Sequence, residues 1–133
     1  MNNKYLLDTC VLFDCLFRFC EMDKRVIELL SNDNAKIAIS VASIWEVTIK
    51  HLKHPKEMPV DGDGLVDILR DLNLEIIPIK EVHARMVTRT MLEGIHNDLF
   101  DHMIITTAAV EGYTLVTKDE AITKYNCVRT LKI

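Results

Sequence analysis

Four acidic side chains from well-separated segments could together form a metal site: Asp8, Glu46, Asp101 and Asp119. Asp101 is the most informative, and lies in the segment LFDHMIITTAAVEG at 99–112. When this segment is wound as a helix at ~100° per residue, Asp101 falls on the same side as Ile104 and Ala108. A buried carboxylate without a partner is costly, so we expect a positive partner nearby. That partner could be a lysine, a helix N-terminus or a metal ion.

The order of predicted elements indicates where these acids lie. Strands are predicted at 3–9, 36–40, 75–79, 113–117 and 127–133, and helices at 10–20, 22–32, 41–53, 64–72, 81–93 and 99–111, with a short helix from about Asp119. Gly94 and Gly112 are predicted helix stops. Pro78 suggests that the 75–79 strand is an edge strand, or that the strand ends there. Strands alternating with helices predict a mainly parallel sheet covered on both faces.

In parallel sheets of this kind, ligands bind outside the carboxyl ends of the strands. Asp8 follows the apolar run of the first strand, and Asp119 lies two residues past LVT. Glu46 is on the helix that leaves the second strand, and Asp101 is in the first turn of its own helix. We therefore expect these four carboxylates to converge at one edge of the sheet.

The helix at 41–53 is predicted from an apolar stripe with helical spacing. The stripe consists of Val41, Trp45, Ile49 and Leu52. Glu46 lies at its rim. The pattern is typical of an amphipathic helix.

The composition indicates one globular domain, residues 1–133, with 16 basic and 20 acidic residues and a net charge of −4. A protein that binds nucleic acid by charge alone is usually basic. If four acids occupy one site, the remaining charges balance at 16 against 16, and two divalent cations would neutralise the whole molecule. The acidity is therefore compatible with a phosphate substrate if metal supplies the positive charge.

The four cysteines do not form a C-x-x-C pair, which disfavours a thiolate zinc site. We expect Cys10, Cys15, Cys20 and Cys127 to be reduced thiols that are buried as small hydrophobic residues in a cytoplasmic protein. Acids interrupt the apolar N-terminal stretch, so neither a membrane span nor a secretion signal is predicted.

Each acid also has an ordinary structural interpretation. Asp8 could be a turn residue, Asp119 a helix cap, and Glu46 a surface acid paired with Lys50 at i,i+4 spacing. Asp98 is best interpreted as the N-cap of the helix that carries Asp101, with hydrogen bonding to the metal ligands as the minority alternative. The inward position of Asp101 and the combined pattern favour the metal site.

Four segments, in order along the chain, resemble the PIN domain family, and closely its VapC-type toxin nucleases from bacterial toxin–antitoxin pairs. YLLDTCVLF is similar to the family's first strand and first acid, and ISVASIWEVTIK to the segment with its glutamate. HNDLFDHMIITTA resembles the segment H-x-D-P-F-D-R, and EGYTLVTKDEAI the strand and T-x-D that supply the last acid. The resemblance covers the chain from end to end. It implies a three-layer α/β/α sandwich.

The resemblance also implies hydrolysis of RNA phosphodiesters with Mg²⁺ or Mn²⁺, an inhibiting antitoxin partner and a homodimer. Carried over by position, the metal-binding and catalytic acids are Asp8, Glu46, Asp101 and Asp119. Thr9 and Thr117 could hydrogen-bond these carboxylates. Leu99 stands where proline is common in the family and His102 where arginine is common, so how phosphate is held is an open question. Phe13, Phe17 and Phe19 form an apolar stretch that could be core or an interface.

Two other functions remain as alternatives. A receiver-like phosphoacceptor domain would also place an acid after its first strand. The expected paired acids are absent there, however, and EIIPIK offers no acid after the third strand. A catalytically inactive PIN-like binding module would share the fold, but the presence of all four acids argues against it.

Overall fold

A five-stranded sheet forms the centre of the molecule in the computed structural model, which describes residues 3–95 and 98–133. In chain order the strands are β1 (Lys4–Leu7), β2 (Lys36–Ser40), β3 (Glu75–Ile77), β4 (Thr114–Thr117) and β5 (Arg129–Lys132). The order across the sheet is β3-β2-β1-β4-β5, and every neighbouring pair is parallel. The predicted parallel α/β sandwich is confirmed.

Within the described residues, six helices cover this sheet: α1 (Thr9–Phe17), α2 (Lys24–Ser31), α3 (Val41–Lys53), α4 (Gly62–Asp71), α5 (Glu81–Leu92) and α6 (Leu99–Glu111). Short 3₁₀ turns occupy Phe19–Glu21 and Ile122–Lys124. None of the helices in the described ranges is long and apolar enough to span a membrane.

The central strands supply side chains to both of two hydrophobic cores. Leu7 and Val116 belong to the core on one face of the sheet, whereas Leu6 and Leu115 belong to the core on the other. Successive side chains of a strand point to opposite faces, so a strand that is covered on both faces must be apolar without alternation. This explains the continuous apolar runs YLL and LVT in the sequence.

Several predicted boundaries differ from the structure. β1 stops at Leu7, since Asp8 is already the N-cap of α1. The strand predicted at 75–79 ends at Ile77, before Pro78, and lies at the edge of the sheet as its proline suggested. The helix predicted from about Asp119 is only the 3₁₀ turn Ile122–Lys124.

Glycines end two helices as predicted. Gly112 is the C-cap of α6 with φ of 76°, and Gly94 follows α5 with φ of 67°. This left-handed conformation is strained for residues with a Cβ, so glycine is the natural residue at a helix end that adopts it.

The predicted apolar stripe of α3 does not form the buried face of the helix, as it would in a simple amphipathic helix. Trp45 is 58% exposed and Leu52 75% exposed, whereas the buried face carries Ala42, Ser43 and Val47. Spacing alone could not distinguish the two faces, because both contain apolar side chains. The small buried residues allow α3 to lie close to the sheet.

This assignment of faces predicts different costs for two truncations in α3. Val47→Ala should lower the free energy of unfolding by about 2 kcal/mol, because it leaves a cavity in the core. Leu52→Ala should change it by less than about 0.5 kcal/mol, as for other exposed positions. Urea denaturation of both variants measures the difference, and equal costs would show that the stripe is buried.

Candidate functional site

All four predicted acids line one pocket of about 240 Å³. Its lining residues are Asp8, Thr9, Cys10, Phe13, Glu46, Lys50, Asp98, Asp101 and Asp119. Asp8 follows β1, Asp119 follows β4, and Glu46 lies on the helix that leaves β2. We call this the acidic pocket. It lies at the carboxyl edge of the sheet, where the topology predicts a ligand site.

Asp8 is held by three donors, although it is only 4% exposed. One oxygen accepts the backbone N–H of Thr9 at 2.8 Å; the other accepts Thr117 Oγ1 at 2.8 Å and Cys10 Sγ at 3.3 Å. Burial raises the pKa of Asp8 above its ordinary value and the charge of Asp119 adds to the rise, while these hydrogen bonds oppose it. The donors therefore offset part of the cost of a buried carboxylate.

Thr117 links two of the acids. Its hydroxyl donates to Asp8 and accepts the backbone N–H of Asp119 at 3.0 Å. Thr9 packs nearby and shares a 2.8 Å hydrogen bond with Ser43. A hydroxyl that donates and accepts at once fixes the orientation of both neighbours.

Glu46 has an unsatisfied oxygen. Its buried Oε1 has no hydrogen-bond partner among the described residues. Burial raises the pKa of this carboxyl, and the charges of Asp98 and Asp8 raise it further, whereas Thr9 and Lys50 lower it. An unpartnered buried oxygen is costly and calls for a specific explanation.

Asp98 is the N-cap of α6, as its structural interpretation predicted. Its Oδ1 accepts the backbone N–H groups of Phe100 and Asp101 at 2.9 and 3.1 Å. This cap starts the helix at Leu99 and so places Asp101 in the first turn, half-buried and beside the pocket. Asp119 also makes a local cap, since its Oδ1 accepts the N–H of Ala121 at 2.9 Å. Asp98 and Asp119 therefore each make a local cap and also line the acidic pocket.

His102 does not take the place of the arginine that is common at this position. Its ring is 3% exposed and its Nε2 lies 3.0 Å from Tyr125 Oη, in the core. Among the described residues, Lys50 is the only basic side chain that lines the acidic pocket. His96 and Asn97, which begin the HNDLFD segment, lie outside the described residues.

The donor set fits a hard divalent ion. Carboxylate oxygens without thiolate or imidazole suit Mg²⁺ or Mn²⁺, and the orphaned oxygen of Glu46 is the kind of atom that such an ion would satisfy. Among residues 3–95 and 98–133, however, no three His, Cys, Asp or Glu side chains already form a metal-binding group. The acids share the pocket without being gathered at a single point.

The cysteines are free in the described chain, and the prediction that they are buried is wrong for two of them. Cys20 and Cys127 are exposed, whereas Cys10 and Cys15 are half-buried. Burial raises the pKa of Cys10 to about 12, and Asp8 adds to the rise. Cys10 is therefore a protonated thiol that donates to Asp8.

A second groove, of about 300 Å³, adjoins the acidic pocket and shares three residues with it. Its lining residues are Cys10, Phe13, Asp14, Phe17, Arg18, Lys50, Glu57, Met58 and Lys118. We call this the adjacent groove. It has three basic and two acidic side chains, whereas the acidic pocket has one basic and five acidic side chains.

Comparison with known proteins settles the family. The sequence profile of the PIN domain matches residues 5–126. The chain belongs to the PIN domain family. This membership sets aside the receiver-like alternative. No curated protein sequence matches the chain.

Solved structures share the fold of this PIN domain over almost the whole chain. VapBC2 from Rickettsia felis bound to promoter DNA is 22% identical, with a TM-score of 0.75 and 98% of each chain covered. DNA-bound VapBC from Salmonella typhimurium is 19% identical, with a TM-score of 0.72 and coverage of 99% of this chain and 98% of the other. FitAcB from Neisseria gonorrhoeae is 21% identical, with a TM-score of 0.69 and 96% of each chain covered.

Sequence reasoning identified the pocket's acids and both threonines but missed two supports. The thiol of Cys10 donates to Asp8, and the hydroxyl of Ser43 contacts Thr9. A signal existed for Ser43, which lies three residues before Glu46 and so on the same helix face. No spacing rule indicates that a cysteine will donate to a nearby carboxylate.

The raised pKa of Glu46 predicts how stability varies with pH in metal-free protein. A carboxyl with a folded-state pKa above its unfolded value contributes stability that is present below about pH 4.3, and this contribution is lost as pH rises through the folded pKa. Glu46→Gln should therefore flatten the decline in unfolding free energy above about pH 4.3. At pH 7 it should leave metal-free stability equal or slightly higher.

Denaturation in EDTA from pH 4 to pH 8 measures this effect, with Glu28→Gln on the exposed side of α2 as the matched control. If Glu46→Gln melts well below wild type at pH 7 without metal, then Glu46 is a structural acid and the interpretation fails.

Proposed function

We propose that this PIN domain, taken as residues 1–133, is a divalent-metal-dependent endoribonuclease and the toxin of a toxin–antitoxin pair in the cytoplasm. The observation that carries the proposal is the acidic pocket, because four separate elements each contribute a carboxylate to it. A fold gains no stability from collecting like charges, so the arrangement points to a bound cation. Family membership supports the same chemistry.

Each carboxylate has a role in this proposal. Asp8, Asp101 and Asp119 would hold the principal Mg²⁺ or Mn²⁺, and Glu46 would complete the site directly or through water. Glu46 would also orient the attacking water, and its Oε1 is available because it has no partner among the described residues. When bound, the ion supplies a water of lowered pKa and neutralises charge that develops on the phosphoryl oxygens.

The hydroxyls around the pocket keep the carboxylates in place. Thr117 orients Asp8 and the backbone of Asp119, and Thr9 acts on Glu46. Asp98 fixes the start of α6 and thereby the position of Asp101. Such supporting hydrogen bonds commonly affect metal affinity or activity by about 10- to 100-fold.

The purified protein should cleave single-stranded RNA in Mg²⁺ or Mn²⁺ and stop in EDTA. Asp101→Asn should lower the cleavage rate by about 100-fold or more, because a ligand should matter at least as much as its supports. Gel assays with labelled RNA measure both effects, and Asp67→Asn on the exposed face of α4 is the control.

Cleavage that persists in EDTA would contradict the metal mechanism. Metal-dependent RNA binding without any cleavage would instead favour a catalytically inactive binding module.

The toxin role implies a cognate antitoxin, for which the chain offers an exposed aromatic surface. Phe17 is 45% exposed and Phe19 57% exposed, and Phe17 lines the groove next to the acidic pocket. A partner seated there could cover the acids. Solved structures of similar fold include a toxin–antitoxin complex from Klebsiella pneumoniae and a member of the VapBC family of toxin–antitoxin systems from Mycobacterium tuberculosis. The exposed Trp45 and Leu52 of α3 offer a separate apolar surface for a homodimer.

Phe17→Glu should abolish binding of the antitoxin while leaving the fold and self-association unchanged. The reason is that a charge replaces an exposed apolar contact at the proposed interface. The candidate antitoxin is the small protein encoded by the neighbouring reading frame. Leu72→Glu is the control, since Leu72 is 57% exposed and does not line the groove.

Light scattering of each variant, alone and mixed with the candidate, gives the masses in solution. If folded Phe17→Glu retains both self-association and antitoxin binding, then the partner surface lies elsewhere.

A further inference from the structure

Lys50 lies between the acidic pocket and the adjacent groove. It lines both, and no other basic side chain in the described residues lines the acidic pocket. Five carboxylates line the same pocket. A cation at this point therefore faces a strongly negative site on one side and a mixed aromatic and basic groove on the other.

The ammonium of Lys50 is positioned by an aromatic ring. Its Nζ lies 4.8 Å from the centroid of the Phe13 ring, within the range of a cation–π contact. Among the described residues Lys50 forms no ion pair with a carboxylate, so its three donors remain available to a ligand. Phe13 itself is half-buried and lines the acidic pocket as well, so it forms a fixed base for the charge.

The other cations near the pocket are less available. Lys118 follows β4 but forms an ion pair with Asp14, and it lines the adjacent groove and not the acidic pocket. Arg18 also lines the groove and not the acidic pocket. His102 is buried against Tyr125. Among the residues that the structure describes, Lys50 is thus the basic side chain that lines the acidic pocket, and it has no carboxylate partner there.

We propose that Lys50, supported by the ring of Phe13, binds a phosphate of the RNA strand at the mouth of the acidic pocket. The inference rests on the proposed nuclease function and supplies its substrate-binding residue. A phosphodiester that reaches the acids carries negative charge into a negative pocket. A fixed cation at the mouth therefore lowers the electrostatic repulsion that the phosphodiester meets. The strand then continues into the adjacent groove, where Arg18 and Phe17 offer a further charge and a ring for stacking.

A purely structural role for Lys50 is the alternative. Lys50 lowers the pKa of Glu46, so its charge could serve only to offset repulsion inside the pocket. That role would alter metal affinity and stability. Once metal is saturating, it would not alter the slope of log K for RNA binding against log salt. This slope depends on the number of contacts between cationic side chains and phosphates.

The test measures RNA binding by fluorescence anisotropy over a series of KCl concentrations. The probes are labelled single-stranded oligo(U) and oligo(A), with saturating Ca²⁺ in place of Mg²⁺ and the RNA checked for intactness on a gel. The variants are Lys50→Met, Lys50→Arg and, as a matched control, Lys53→Met, which is exposed on the same helix and lines neither pocket.

Lys50→Met should weaken binding of both RNAs about five- to tenfold at low salt. It should also reduce the slope of log K against log salt by about 0.7, the loss of one phosphate contact on a single strand. Lys50→Arg should keep the wild-type slope, and Lys53→Met should leave both quantities unchanged.

Two results would overturn the phosphate contact while leaving the nuclease in place. One is a slope of log K against log salt in Lys50→Met that equals the wild-type slope. The other is that Lys53→Met weakens RNA binding as much as Lys50→Met does. In both cases the wild-type protein must still cleave RNA in Mg²⁺. If the wild-type protein neither binds nor cleaves RNA, the proposed function fails, and the role of Lys50 fails with it.

Discussion

Holding several carboxyl groups together at the edge of an apolar sheet is the constraint that organises this molecule. The energetic cost comes from burial and from like charges, both of which raise the pKa values of Asp8 and Glu46. The compensation is local and specific: a helix N-terminal amide, a thiol and a threonine hydroxyl all donate to Asp8. The strand ends and helix starts near the pocket therefore serve two purposes, since they connect elements and also supply the donors that a buried charge requires.

The fold could be predicted largely from the sequence because each central strand must face two cores. Such strands are apolar without interruption, and Leu6 with Leu7 or Leu115 with Val116 shows this directly. The acids followed from topology, because Asp8 and Asp119 lie just beyond parallel strands. Strand and helix ends were less predictable, since a side chain such as Asp8 can end a strand by capping the next helix.

Two details of the site could not be predicted from the spacing of apolar residues in the sequence. Helix α3 is apolar on both faces, so the pattern could not show that Trp45 is exposed and Val47 buried. The direction of the His102 ring depends on a tertiary contact with Tyr125, 23 positions away. Both outcomes matter for chemistry. Small residues on the buried face of α3 bring Glu46 towards the sheet. Because His102 is buried, Lys50 is the basic side chain that lines the acidic pocket among the described residues.

The pairing of β1 with β4 has a consequence for how the protein is made. The hydrogen bond from Thr117 to Asp8 joins residues 109 positions apart, and β1 lies at the centre of the sheet between β2 and β4. A growing chain on the ribosome carries its first acid long before the strand that completes the pocket has been synthesised. Closing so long a loop comes late in folding, because its entropic cost precedes the contacts that repay it. Unfinished or truncated copies thus have no complete pocket, and assembly of the pocket coincides with completion of the sheet.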